Sequence, residues 1–114
     1  MRPGRSGRVS TSSGGMPEES LQTAIVMLAK LTGWLVYHTF DSRRCTPGFP
    51  DLVMAKGGRI LFVELKAEKG VTQPAQQEWL RVLGMNTGVE VHVWRPAQWD
   101  DGTVESVLRG TQRR

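Results

Sequence analysis

Two apolar runs, Leu52-Val53-Met54-Ala55 and Ile60-Leu61-Phe62-Val63-Glu64-Leu65, flank Lys56-Gly57-Gly58-Arg59. A Gly-Gly pair between such runs predicts a two-residue β-hairpin, because both loop positions require positive φ. With Gly57 and Gly58 as the loop, Lys56 faces Arg59, Ala55 faces Ile60, Val53 faces Phe62 and Asp51 faces Glu64. That register sets two carboxylates opposite each other on one face, with Cβ atoms ~5 Å apart. Lys66 shares the face of Glu64 by the period of two and is the diagonal neighbour of Asp51.

Like charges directly opposite in a sheet destabilise it, so the pair needs a compensating positive charge. Lys66 supplies one. A divalent cation would supply two, and magnesium is commonly held by one or two carboxylates together with waters and phosphate oxygens. Such an ion activates water and stabilises negative charge developing on phosphorus, and a neighbouring lysine can orient that water. Asp51, Glu64 and Lys66 therefore suit metal-assisted phosphodiester hydrolysis. The competing reading is a cross-strand charge cluster on a solvated face.

The rest of the chain predicts an alternation of helix and strand. Pro17 to Gly33 has helical periodicity, with Leu21, Ile25, Leu28, Ala29 and Thr32 on one face. Glu18 falls in the middle of that face and Glu19 about 100° away from it. Trp34 to Phe40 reads as a strand, and 41–50 as a loop holding Arg43, Arg44, Cys45, Pro47 and Pro50. Thr72 is the expected N-cap of a helix running to Gly84, with Ala75, Trp79, Leu80, Val82 and Leu83 on its apolar side. Gln76 projects into that side and Gln77 away from it. Val89 to Trp94 is a further strand, and 97–108 a terminal helix carrying Trp99, Val104 and Leu108.

Within the PD-(D/E)xK nucleases, whose signature Gly48-Phe49-Pro50-Asp51 followed by Glu64-Leu65-Lys66 resembles, the chain is similar to the VRR-NUC family. The resemblance spans about residues 18–100. It also rests on Glu18, the Gly70-to-Gln76 approach to the second helix, Trp79, and the Val91-His92-Val93-Trp94-Arg95-Pro96 ending of the last strand. It implies an α/β, restriction-endonuclease-like α-β-β-β-α-β core with a mixed sheet flanked by helices. It further implies that Asp51, Glu64 and the Leu65 carbonyl bind Mg²⁺ or Mn²⁺. Glu18 would reach the metal from the first helix, Lys66 would assist the water, and Gln76 would support the site from the second helix. The chain resembles small stand-alone members from phages and other mobile elements, which act as homodimers on branched DNA.

Blander roles stand beside these. A glutamate in a first helical turn also complements the helix dipole, and Gln76 reads equally as a satisfied buried amide. Arg43 and Arg44 are candidate DNA contacts or simply solvated. His38 and His92 are isolated and read as structural, and no histidine pair has zinc spacing. Cys45 reads as incidental, and the four tryptophans as core.

Composition bounds the remainder. With 114 residues there is one domain, expected at 16–108, between basic tails at 1–15 and 109–114. The first 15 residues are Gly/Ser-rich and acid-free, too polar to fold alone, with no apolar stretch of the secretory type and no amphipathic face of the organellar type. Met16 is a second candidate start. Positions 1–17 and 109–114 hold six arginines and no acid, while 18–108 holds nine Lys or Arg against all eleven acids. The basic character thus lies in the ends, which points to a polyanion partner. A single cysteine excludes an intrachain disulfide framework, and no apolar run reaches the ~18 residues of a membrane span.

The function expected is a Mg²⁺- or Mn²⁺-dependent endonuclease on structured or branched DNA, with Holliday-junction resolution as the specific form. A homodimer in the cytoplasm is expected (the host's, if phage-encoded), with no membrane association and no small-molecule cofactor. The alternatives are a non-catalytic nuclease-like module binding DNA or protein, and a repair- or restriction-type duplex endonuclease. No separate target-recognition domain fits, which disfavours sequence-specific restriction.

Overall fold

The computed structural model describes residues 16–39 and 46–111. Arg43, Arg44, Cys45, the 1–15 tail and residues 112–114 lie outside them. In chain order the elements are α1 (Glu18–Leu31), β1 (Leu35–His38), β2 (Leu52–Lys56), β3 (Arg59–Leu65), α2 (Pro74–Gly84), β4 (Glu90–Trp94), α3 (Pro96–Asp100) and α4 (Thr103–Arg109). The strands form one mixed sheet in the order β1-β2-β3-β4, antiparallel except for the parallel β3–β4 pair.

The Gly-Gly hairpin forms in the expected register. Gly57 and Gly58 have φ of 53° and 87°, and Lys56 pairs with Arg59, Ala55 with Ile60 and Val53 with Phe62. Alternation then sorts the side chains. Leu52, Met54, Leu61, Val63 and Leu65 are fully buried on one face, against Leu21, Ile25 and Ala29 of α1 and Val104, Val107 and Leu108 of α4. The other face carries Val53, Ala55, Ile60, Phe62 and Glu64, and α2 covers it only in part: no α2 residue is fully buried and Val82 is exposed.

Several boundaries differ from expectation. Trp34 precedes β1, because its main-chain N–H closes the end of α1 on Ala29 O and its buried indole donates to Leu108 O. The β1 ladder stops at His38, and β4 starts at Glu90 after Val89. Gln73, not Thr72, is the N-cap of α2, and its main-chain N–H donates to Gln76 Oε1 at 2.7 Å. The single terminal helix is two, since Gly102 sits at φ 86° and Asp101 Oδ1 accepts from Thr103 N to start α4 afresh. α4 continues through Arg109, which pairs with Glu105 one turn back at 2.7 Å. Trp34 and Trp94 are core, while Trp79 and Trp99 are half-buried.

This topology gathers one set of termini. The C-terminal ends of β1, β3 and β4, the start of β2, and the N-termini of α1 and α2 all lie at one end of the sheet.

Candidate active site

Asp51 and Glu64 occupy the step after the last β2–β3 pair, Leu52 with Val63. Two reciprocal main-chain bonds lock them: Leu65 N donates to Asp51 Oδ2 at 2.8 Å, and the Asp51 N–H donates to the Glu64 carboxyl. Thr39 N donates to Asp51 O at 2.9 Å, tying the same step to β1. The approach to Asp51 is equally fixed. Gly48 has φ 88°, and a Cβ there would lie 2.5 Å from Ala75 C, so only glycine lets this loop meet the first turn of α2. Phe49 then seats its ring edge-on between Phe62 at 6.1 Å and Trp79 at 5.0 Å.

Glu64 is 2% exposed. Its Oε2 accepts from Gln76 Nε2 at 2.7 Å and lies 3.8 Å from Lys66 Nζ. Gln76 is oriented for this by its own Oε1, which caps α2 at Gln73 N. Burial first, and then the negative charge of Asp51, push the Glu64 carboxyl up to about 7 against the pull of Lys66. Burial also raises Asp51, opposed by the Leu65 N–H bond, Lys66 and His38. Glu18, in the first turn of α1, is raised by the partial burial of its carboxyl and then by Asp51, against the pull of Lys66. Each acid holds its proton harder than in water, with burial the largest cause in all three and Lys66 pulling the other way.

Among the described residues, no three His, Cys, Asp or Glu side chains form a ready-made metal cage. The available side-chain donors are oxygens, the Asp51 and Glu64 carboxylates. That set fits a hard cation that keeps part of its water shell, and does not fit zinc. Glu18 acts on the pair electrostatically from α1.

Two roles escaped the sequence. His38, expected to be structural, stands within electrostatic reach of Asp51, with its Nε2 2.8 Å from Gln22 Nε2. Gln22 follows Glu18 by one helical turn, and that spacing was the signal available. Arg95 Nη1 donates to Ala67 O, Glu68 O and Gly70 O at 2.9, 3.3 and 2.6 Å, fixing the turn directly after Lys66. His92 instead stacks on Trp94 on the face away from the carboxylates, and burial lowers its pKa.

Residues 8–98 match the VRR-NUC domain family. The chain belongs to the VRR-NUC family. A solved structure described as a "VRR_NUC domain protein" is 21% identical to this VRR-NUC chain, covers 82% of it and 86% of its own length, and superposes with a TM-score of 0.61. That likeness shows the fold, a mixed four-stranded sheet with flanking helices. No curated protein matches the chain. The VRR-NUC domain is nuclease-type, and among its described residues no helix is long and apolar enough to cross a membrane.

Proposed function

We propose that this VRR-NUC protein is a Mg²⁺- or Mn²⁺-dependent endonuclease that hydrolyses phosphodiester bonds in branched or structured DNA. The observation that carries this reading is the opposed Asp51–Glu64 pair, both held by main-chain hydrogen bonds and both raised in pKa, with a single lysine 3.8 Å from Glu64. A divalent ion bound there would supply the missing positive charge and acidify a water. Asp51, Glu64 and the Leu65 carbonyl would hold it, and Gln76 fixes the Glu64 carboxylate by donating to Oε2. Lys66, with its Nζ 3.8 Å from Glu64 Oε2, would hold the attacking water or a non-bridging phosphate oxygen. Water oxygen bonds to phosphorus as the bond to the departing sugar oxygen breaks, and a water proton replaces phosphorus on that oxygen.

Resolving a four-way junction takes two symmetric nicks, so a two-fold homodimer in the cytoplasm is part of the proposal. Arg43 and Arg44, which precede Asp51 in sequence, are the proposed phosphate contacts. The test is incubation of the full chain and Asp51→Asn with labelled four-way junction, flap, duplex and single-stranded DNA, in Mg²⁺, Mn²⁺ or EDTA. Cleavage of the branched substrates by the wild type alone, abolished in EDTA, is expected. Binding without cleavage under every condition would replace this reading with a non-catalytic DNA-binding module, and preference for plain duplex would indicate a repair-type enzyme.

A further inference from the structure

The sheet order leaves the outer side of β1 without a strand among the described residues. Thr39 N donates to Asp51 O, so antiparallel alternation turns the main-chain groups of Leu35 and Tyr37 toward β2 and those of Val36 outward. Edge strands are commonly blunted by lysine, proline or a bulge. This one reads Leu35-Val36-Tyr37-His38 and has none of them. Leu35 and Tyr37 pair with Ala55 and Val53, which sets both on the α2 side of the sheet, 78% and 61% exposed. Val36 pairs with Met54 on the opposite side, where an open cleft of about 510 Å³ lies between it and Val26 and Met27 of α1. No carboxylate lines that cleft, and Met27 and Leu31, one turn apart on α1, are exposed. Apolar surface thus stands open on both sides of an unblunted edge.

We propose that this edge is the contact between two copies of the chain: β1 pairs antiparallel with the partner's β1 about a two-fold axis at Val36, joining two sheets into one. The inference rests on the homodimer of the nuclease reading and names its surface and geometry. A two-fold at Val36 lets the two Val36 residues exchange both main-chain hydrogen bonds. It sets each Leu35 directly opposite the partner's Tyr37, so the two exposed side chains of the α2 side cover each other. On the cleft side Val36 meets the partner's Val36, and Met27 and Leu31 face the partner's α1. The patch is self-complementary, as a closed two-fold contact must be, and among the residues lining the cleft Lys30 alone carries a fixed charge. Leu35, Tyr37, Met27 and Leu31 together expose on the order of 500 Å², a large part of the ~800 Å² per partner of a stable interface, before main chain and cleft walls are added. Residues 1–15, with Val9 as the one apolar residue after the initiator, are too polar to cover it. The axis stands perpendicular to the joined sheet. Both carboxylate pairs therefore lie on its α2 face, toward opposite ends and ~25 Å apart, at ~3.3 Å per residue and ~4.8 Å per strand. Two symmetric nicks by one dimer require such a pair of sites.

Light scattering of the full chain over a concentration series, with and without junction DNA, is the first test. Wild type is expected at the mass of two chains. Leu35→Lys combined with Tyr37→Lys should reduce it to one chain, with circular dichroism unchanged because both side chains are exposed. Met85→Lys, an equally exposed apolar position at the end of α2, should leave the dimer intact. The second test reads the register by cross-linking in a Cys45→Ser background. Leu35→Cys combined with Tyr37→Cys should join two chains on air oxidation, because directly opposed Cβ atoms lie ~4.5–5.5 Å apart. Neither substitution alone should do so, because each position lies diagonal to its own copy at ~7–8 Å, beyond disulfide reach. A dimer that survives the paired lysines, or cross-linking by one cysteine substitution alone, overturns the proposal. So does a monomer under every condition, which would leave the edge to an extended segment of another protein. A dimer of this register that cuts no DNA keeps the interface and refutes the nuclease reading; junction cleavage by a strict monomer does the reverse.

Discussion

Replacing Glu64 with glutamine removes a charge from a nearly dry position without changing its shape. The carboxyl titrates at about 7 in the folded chain and near 4.5 when exposed. At ~1.4 kcal/mol per pH unit, that difference corresponds to ~3 kcal/mol. The folded state therefore binds the extra proton between pH 4.5 and 7, and unfolding free energy falls as pH rises through that window. Below pH 4.5 the wild type carries a neutral acid and matches Glu64→Gln. Above pH 7 it carries the full penalty. In metal-free buffer, Glu64→Gln should therefore be nearly equal to wild type at pH 4.5 and more stable by ~3 kcal/mol at pH 8.

Urea denaturation in EDTA across pH 4.5–8.5 measures the gap directly. His92, lowered by burial, titrates in both proteins and largely cancels, while the repulsion of Asp51 and Glu18 on Glu64 is part of the gap itself. Lost attraction to Lys66 acts against the variant, but at 3.8 Å without a hydrogen bond it is the smaller effect. Adding Mg²⁺ at pH 8 should close the gap from the wild-type side, because an ion that binds only the folded chain stabilises it. A gap that stays constant with pH, or widens toward low pH, would refute the electrostatic reasoning.

Three further outcomes are expected. Lys66→Ala should lose turnover while Mn²⁺ affinity survives or increases, since a competing positive charge 3.8 Å from Glu64 Oε2 is removed; calorimetric titration showing the same loss of affinity as Glu64→Ala would make Lys66 a structural support only. Gly48→Ala should destabilise the fold by ~1–3 kcal/mol, because the new Cβ meets Ala75 main-chain atoms at 2.5 and 2.6 Å and φ is 88°; an unchanged melting temperature would show that the loop can withdraw from α2. Deleting residues 1–15 removes Arg2, Arg5 and Arg8 and should make the salt dependence of duplex binding shallower by up to ~2.7, with single-turnover cleavage unchanged; a large fall in cleavage would place the tail in the chemistry.

The carboxylate pairing was legible because a Gly-Gly hairpin has almost no freedom: once the loop is fixed, every cross-strand partner follows by counting. The core face was legible for the same reason, as Leu52, Met54, Leu61 and Val63 alternate with their neighbours. Helical projection put Gln76 on the side that meets Glu64 and Glu18 on the side within electrostatic reach of Asp51, because a helix fixes angles as firmly as a hairpin fixes register. What counting cannot reach is contact between elements far apart in sequence. His38 looked isolated because its neighbours at the site, Gln22 and Asp51, come from α1 and β2. Arg95 was legible only as part of the motif that ends the last strand, without its role, because its partners are carbonyl oxygens, which every residue has. The terminal helix was misread because Gly102 costs a helix only ~1 kcal/mol by propensity, while Asp101 capping Thr103 decides the break.

The division of the sheet into two unlike faces explains how a marginally stable small domain tolerates this site. Leucine, methionine and valine on the α1/α4 side are completely buried and make a continuous core, on the side of the sheet away from the carboxylates. That face is covered only in part by α2, which buries none of its residues fully. Glu64 lies where the two regimes meet: its neighbours Val63 and Leu65 point into the core, which anchors its backbone, while its side chain points toward Gln76 and Lys66. Anchoring explains why repulsion from Asp51 appears as part of the raised Glu64 pKa and not as separated strands. The carboxylates cannot retreat from each other, because Leu65 N holds Asp51 and Asp51 N holds Glu64. A site held in that way keeps its demand for positive charge in the folded state, and a divalent ion or a proton can meet it.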